Sequence, residues 1–272
     1  MLPWLSYPEV RQRCLKLDEN SKPFYCRYVT HTFSTLFCWA FQRLPFSPNQ
    51  LTFLSLVFAI ISLPFFLCLS RPFYPLIGAF FLELYYVFDA IDGQWARLKA
   101  QKSLTGAFFD YLINYAIQPP LLFAIAWGVH DSTQNPLDLA LGFVAAFSTL
   151  WLIVVWNLRQ SVLYGDILNK KVIPKSDGES NAFASGSLNS SANSVLFVIK
   201  QLYSIVYRTL VFPWMMNIIT LLSLSTWLAF VIFGHDISWI AFRFFIYYCA
   251  IGGLVYSILI TAKWIIYKEI RH

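Results

Sequence analysis

The sequence predicts an all-α integral membrane protein with six transmembrane helices, preceded by a cytoplasmic interfacial amphipathic helix. Three observations carry this. Of 272 residues, 58% are hydrophobic and 12% charged, with a mean hydropathy of +0.57, a balance foreign to soluble domains of this size. The apolar residues gather into runs of roughly 18–25 residues, the length that a ~30 Å hydrocarbon core demands. The basic residues gather in alternate connections between those runs, as topology and contact with anionic lipid require. The net charge of +6 is therefore assigned to membrane lipids, and no nucleic-acid partner is expected.

The chain divides into a leader, residues 1–46, and a membrane domain, residues 47–272. The start, MLPWLSYPEVRQRC, lacks the basic start, short apolar core and cleavage site of a signal peptide. Tyr25–Leu44 mixes Phe33, Phe37, Trp39 and Phe41 with Arg27, His31 and Arg43, which suits a helix lying in the headgroup plane with His31 as an interfacial polar residue. Spans are expected near 51–69, 75–90, 106–129, 137–158, 210–233 and 239–267. The second is short, and Pro119-Pro120 should kink the third, which neighbouring helices can absorb. Residues 159–208 form a flexible cytoplasmic loop, rich in Ser, Asn and Gly across Ser176–Ser194. Val195–Arg208 is a candidate second interfacial helix.

Orientation follows from the basic residues. Arg11, Arg13, Lys16, Lys22, Arg27 and Arg43 share a face with Arg97, Lys99 and Lys102, with the basic residues of the 159–208 loop, and with Lys263, Lys268 and Arg271. The opposite face has Arg71, with Arg243 just inside the last span. Both termini are therefore expected in the cytoplasm, in a bacterial inner membrane or a eukaryotic internal membrane. Five cysteines without a CxxC pair read as free thiols.

Against this apolar background stands an acidic cluster: Asp89 and Asp92 at the end of the second span, Asp110 and Asn114 at the start of the third. Ionisable groups in a membrane are expensive, so such a cluster marks a functional site. Asp89 and Asp92 are three residues apart and Asp110 and Asn114 four, so each pair shares a helix face. A short connection makes the two helices neighbours, and four oxygen-bearing side chains can converge. Oxygen donors without Cys or His suit Mg²⁺ or Mn²⁺. Such an ion within reach of cytosol suits a diphosphate. Gly93 and Ala96 let a ligand approach the backbone. Arg97 can pair with phosphate or brace a carboxylate, and Lys99 and Lys102 add positive potential.

The pattern Asp89-x2-Asp92-Gly93-x2-Ala96-Arg97-x8-Gly106-x3-Asp110-x3-Asn114 resembles the signature of the CDP-alcohol phosphotransferase (phosphatidyltransferase) family, matching seven of eight fixed residues. Ser47-Pro48-Asn49-Gln50-Leu51-Thr52 is similar to the family's Pro-Asn-x-x-Thr opening of the first span. The resemblance implies a reaction in which a CDP-alcohol such as CDP-diacylglycerol gives its substituted phosphate to an acceptor alcohol, and CMP leaves. By position, Asp89, Asp92, Asp110 and Asn114 would hold metal. Gly93, Ala96, Arg97 and Gly106 would shape the nucleotide and diphosphate pocket, with Asn49 and Thr52 lining it. The resemblance also implies a homodimer.

The departure is Asn114, where the family has Asp acting as general base. An amide offers a carbonyl oxygen to metal but accepts no proton at neutral pH. Three explanations stay open: an engineered Asp-to-Asn change, a natural Asn with another base or an already ionised acceptor, or lost catalysis. The last makes the chain a CDP-alcohol or lipid binder of the same scaffold. Tyr111 and Tyr115 are nearby phenols and poor bases without help. Arg27, Arg159 and Arg208 are candidates for an acceptor's anion pocket, with headgroup contact as the plainer role. Glu83, deeper in the second span, could meet a headgroup or the acceptor, or hydrogen-bond a Tyr or Trp of another helix. Asn157 and Asn217 are expected to bond between helices.

Overall fold

The computed structural model describes residues 4–14, 26–101, 103–168, 205–206, 209–210 and 212–269, and the side chains of 26, 27, 156, 159–168, 212–213 and 264–269 lie outside that description. Every regular element among the described residues is helical. The leader contributes α1 (Tyr7–Cys14), a π-helical turn (Cys26–Thr30) and α2 (His31–Ala40). The membrane part contributes α3 (Pro48–Leu67), α4 (Tyr74–Leu98), α5 (Leu104–Thr133), α6 (Pro136–Leu168), α7 (Phe212–Phe233) and α8 (Ser238–Glu269). Six of these, α3 to α8, are long and apolar enough to cross a bilayer.

Local sequence explains where the helices begin and end near the acidic cluster. Ser47 caps α3 in a reciprocal box with Gln50, Oγ accepting from Gln50 N at 3.3 Å and Ser47 N donating to Gln50 Oε1 at 2.9 Å. Pro48 follows in the first turn, where a missing N–H costs nothing. Ser103 caps α5 by accepting from Gly106 N at 2.9 Å. The second span was expected to end at residue 90, but α4 continues as helix to Leu98. Ile91, Trp95 and Leu98 on this extension are buried against Val10, Cys14 and Cys38 of the leader, and that packing sustains the helix past the end of its apolar run. It then stops in a Schellman turn: Gln101 N donates to Ala96 O at 2.9 Å and Ala100 N to Arg97 O at 3.3 Å, with Ala100 left-handed at φ 54°. The helix assignment of α5 passes through Pro119-Pro120, and that of α6 continues to Leu168, past the expected end of the span at Leu158. The rest of the expected loop lies almost wholly outside the described residues.

In the bundle, α3 packs on α4 and α5, α6 on α5 and α8, and α7 on α4 and α8. Small residues let helices touch where lipid gives no hydrophobic drive. A Cβ on Gly128 would lie 2.3 Å from Phe66 O, one on Gly142 2.1 Å from the Ala126 Cβ, and one on Gly253 2.3 Å from Ser148 Oγ. At the end opposite the acidic cluster, Asp138 of α6 is buried and holds α8: Arg243 Nε donates to its Oδ1 at 2.9 Å and Tyr247 OH at 2.8 Å, while Thr133 donates to Oδ2 at 2.5 Å.

The leader's α2 is turned inside out for a soluble amphipathic helix. His31, Ser34, Thr35 and Cys38 are buried, whereas Phe33 and Leu36 face outward, 60% and 45% exposed. His31 was expected at the interface; it is instead buried with Nδ1 3.1 Å from Gln94 Nε2, because α4 presents a buried amide there that needs a partner. Cys14, Cys38, Cys68 and Cys249 are free thiols.

Candidate active site

Asp89 lies on α4, and Asp110 and Asn114 lie one turn apart on α5. These helices pack mainly on others, and side chains bridge the gap between them. Asn114 is the bridge. Its Nδ2 donates to Asp110 Oδ1 at 2.9 Å and to the Asp110 carbonyl at 3.0 Å, and lies 3.4 Å from Asp89 Oδ1. Its Oδ1 accepts from the buried Tyr85 hydroxyl. This orientation follows from chemistry: the amide's hydrogens face acceptors and its oxygen faces a donor. The sequence reading missed Tyr85. It stands one turn before Asp89, on the same face, and that spacing was the available signal.

Asp92 points elsewhere. It is buried, and its Oδ2 accepts from Thr52 Oγ1 at 2.5 Å. Thr52 is itself buried, so it braces Asp92 where a pocket-lining role was expected. Among the described residues, no three His, Cys, Asp or Glu side chains are gathered tightly enough to enclose an ion as they stand. The donor chemistry still fits a hard divalent cation. Carboxylates from two helices meet at one amide, a third is one turn away, and among the described residues no Lys or Arg nitrogen lies within ion-pair distance of Asp89 or Asp92.

The small residues sit as a ligand site needs them. Among the described residues, a Cβ on Gly93 would meet only Arg97 Nη1, at 3.6 Å, an ordinary contact. Gly106 is tighter: a Cβ there would lie 3.0 Å from Ser103 Oγ and 3.3 Å from Asn49 Oδ1. The start of α3 therefore touches the start of α5 through Asn49 and Gly106, joining two motifs far apart in sequence. Ala96 is half-buried on α4. Arg97 Nε donates to the Cys14 carbonyl at 2.5 Å, and Lys99 Nζ to the Gln42 carbonyl at 2.5 Å, so both basic residues engage the leader.

The side chains of Arg27 and Arg159, and all of Lys102 and Arg208, lie outside the described residues. Tyr111 is exposed, and Tyr115 accepts from Asn157 Nδ2 at 2.6 Å, the helix-to-helix bond expected of that asparagine. Among the described residues Asn217 Oδ1 is buried without a hydrogen-bond partner. Glu83 accepts from Thr220 of α7 at 2.7 Å, a hydrogen bond to another helix.

No curated protein sequence matches the chain. The family model of CDP-alcohol phosphatidyltransferases matches residues 46–178, the stretch that begins just before the capped start of α3 and contains every residue of the acidic cluster. Over residues 46–178, just under half of its length, this multi-pass helical chain is similar to the CDP-alcohol phosphatidyltransferase family, enzymes that transfer phosphatidyl groups from a CDP-alcohol.

Proposed function

We propose that the chain transfers a substituted phosphate from CDP-diacylglycerol, or a related CDP-alcohol, to an acceptor alcohol in phospholipid biosynthesis, with release of CMP. One observation carries this reading: Asp89 reaches across from α4 to the Asn114 amide that also holds Asp110 on α5. Asp89, Asp92 and Asp110, with the Asn114 oxygen, would hold Mg²⁺ or Mn²⁺. Bound there, the ion neutralises diphosphate charge and polarises the phosphorus under attack. Gly93 and Ala96 leave the α4 backbone approachable, Arg97 meets phosphate, and Asn49 with Gly106 shapes the α5 side. Thr52 fixes Asp92, and Tyr85 fixes Asn114. Arg159 is assigned to the acceptor. The acceptor oxygen, its proton already lost or taken by a base other than Asn114, bonds to the lipid-side phosphorus as the bond to the CMP oxygen breaks. Asn114 takes no proton in that step.

The leader (residues 1–46) and both termini are placed in the cytoplasm, and the site opens there, in a bacterial inner membrane or a eukaryotic internal membrane. The membrane domain spans 47–272. The outward Phe33 and Leu36 support an α2 lying at the lipid surface, its polar side turned to the protein. A homodimer is carried from the family resemblance.

Calorimetry tests the donor assignment. CDP-diacylglycerol is expected to bind in detergent with Mn²⁺ present and far more weakly with chelator; metal-independent binding, or none, overturns it. A second reading, a binder without turnover, is favoured by the Asn114 amide acting as a donor to the carboxylates. It predicts tight CDP-diacylglycerol binding without CMP release over any acceptor tried.

A further inference from the structure

Two cysteines of the leader meet beside the motif end of α4. Helix α1 packs on α2 and α4. Near its start it is tied to the end of α2 by Gln42, which accepts from Leu5 N at 2.9 Å and donates to Leu5 O at 3.1 Å. At Cys14, on its last turn, the tie is between thiols: Cys14 and Cys38 of α2 hydrogen-bond each other. Both also lie against one residue of α4. Cys14 Sγ is 3.7 Å from the Gln94 carbonyl, and Cys38 Sγ is 3.9 Å from Gln94 Oε1. Both cysteines are fully buried, in one cluster with Val10, Ile91 and Trp95.

A buried cysteine by itself behaves as a small hydrophobe. Two in contact have a reaction open to them, and burial decides its product. A glutathione or a similar cap would need room that a close-packed cluster does not offer. A disulfide adds no atoms; it removes two hydrogens and shortens one contact. The two thiols are also unequal, as an attacking and a resolving cysteine must be. Cys14 is held below the usual thiol range by its hydrogen bond with Cys38 and by the Arg97 charge, against the effect of burial. Cys38 is pushed far above that range by the same hydrogen bond and by burial.

We propose that Cys14 and Cys38 form an oxidation site, which a peroxide closes into a disulfide that staples α1 to α2 beside Gln94. Hydrogen peroxide supplies the oxidising equivalents. The Cys14 sulfur attacks one peroxide oxygen, the O–O bond breaks, and the departing hydroxide leaves as water with the Cys14 proton. The Cys38 sulfur then attacks the sulfur of the Cys14 sulfenic acid. The S–O bond breaks, and a second water leaves with the Cys38 proton. Two thiols are oxidised and one peroxide is reduced to two waters. The staple closes the end of α1 opposite the Leu5–Gln42 pair, so α1 is then held at both ends.

The test uses the full-length protein in detergent, treated with limiting hydrogen peroxide and digested with trypsin. Lys16, Lys22 and Arg27 separate the two cysteines in sequence, so the cysteines leave in different peptides unless a disulfide joins them. The expected product is a Cys14–Cys38 cross-linked pair that dithiothreitol separates, formed ahead of any product at the exposed Cys68. Hydrogen exchange over Tyr7–Cys14 should slow in the oxidised protein. Cys38→Ala, which cannot close the bridge, should show no such slowing after peroxide. The wild-type peptide map decides the pairing even if that variant fails to fold. Oxidation of Cys68 with Cys14 and Cys38 left as thiols overturns the proposal. So does either of them paired with another cysteine, or a Cys14–Cys38 bridge that leaves exchange in α1 unchanged.

Discussion

The bundle buries carboxylates at both ends and treats them in opposite ways. At one end Asp138 meets the Arg243 guanidinium at 2.9 Å, with the Tyr247 and Thr133 hydroxyls as further donors. That acid is neutralised within the fold and braces α5, α6 and α8. At the other end half-buried Asp89 lies by the Asn114 amide and buried Asp92 by the Thr52 hydroxyl, and among the described residues no Lys or Arg nitrogen is within ion-pair distance of either. A buried charge left to neutral partners is costly. The first arrangement is what a structural ion pair looks like; the second leaves Asp89 and Asp92 without a cationic side chain among the described residues.

The sharpest way to break this contrast is Asn114→Asp. It exchanges the donor between Asp89 and Asp110 for another negative charge and restores a proton acceptor. CMP release from CDP-diacylglycerol should rise by about 10²–10⁴-fold, the usual worth of a general base. Unchanged release in a wild-type protein that already turns over would assign the proton to another group. The same variant should melt lower than wild type in chelator and recover with Mn²⁺.

Next comes a pair of charge deletions with opposite signs. Arg243→Ala strands a buried Asp138 and should cost about 3 kcal/mol, toward the low end of such losses because the Arg243 side chain is 31% exposed. Asp89→Asn removes a charge that the fold does not neutralise, so thermal unfolding in chelator should show no loss, while Mn²⁺ binding fails. Equal destabilisation by both would show that the two ends are built alike. Smaller again is Tyr85→Phe, which leaves the Asn114 oxygen without its donor. It should cost about 1 kcal/mol of stability in chelator, the low end for an orphaned acceptor because Asn114 is only half-buried.

The same contrast explains what could be read ahead of the structure. The six spans follow from apolar run length, and the acidic motif from spacing alone, because both depend on residues close in sequence. The meeting of Asp89 with Asp110 and Asn114 was expected from a short connection making α4 and α5 packed neighbours; the two helices instead pack mainly on other helices, both on α3, and the side chains span the gap. What was hidden depends on distant partners. The helix of α4 outlasts its apolar run because Val10 and Cys14 pack on it from more than seventy residues away. Thr52 reaches Asp92 across 40 residues, and His31 reaches Gln94 across 63. Periodicity in one segment carries no record of such contacts. For His31 it pointed the wrong way, since a polar stripe on an interfacial helix ordinarily faces water.

The two motif glycines give the smallest effects and the finest test of which surfaces are kept for a ligand. Gly93 is inside a helix, where Ala is favoured by up to about 1 kcal/mol. Among the described residues a Cβ there meets nothing closer than Arg97 Nη1 at 3.6 Å, an ordinary contact. Gly93→Ala should therefore raise the melting temperature of the ligand-free protein. If the diphosphate crosses this surface, the added methyl should weaken CDP-diacylglycerol binding in the same sample. Gly106 differs, because its Cβ would press on Ser103 Oγ at 3.0 Å and Asn49 Oδ1 at 3.3 Å. There Ala should lose most of the helix gain to a disturbed cap. Opposite movements of stability and affinity at Gly93, with little stability gain at Gly106, would mark the α4 face as reserved for ligand. A Gly93→Ala protein that gains stability and binds donor as well as wild type would show that face to be ordinary helix surface.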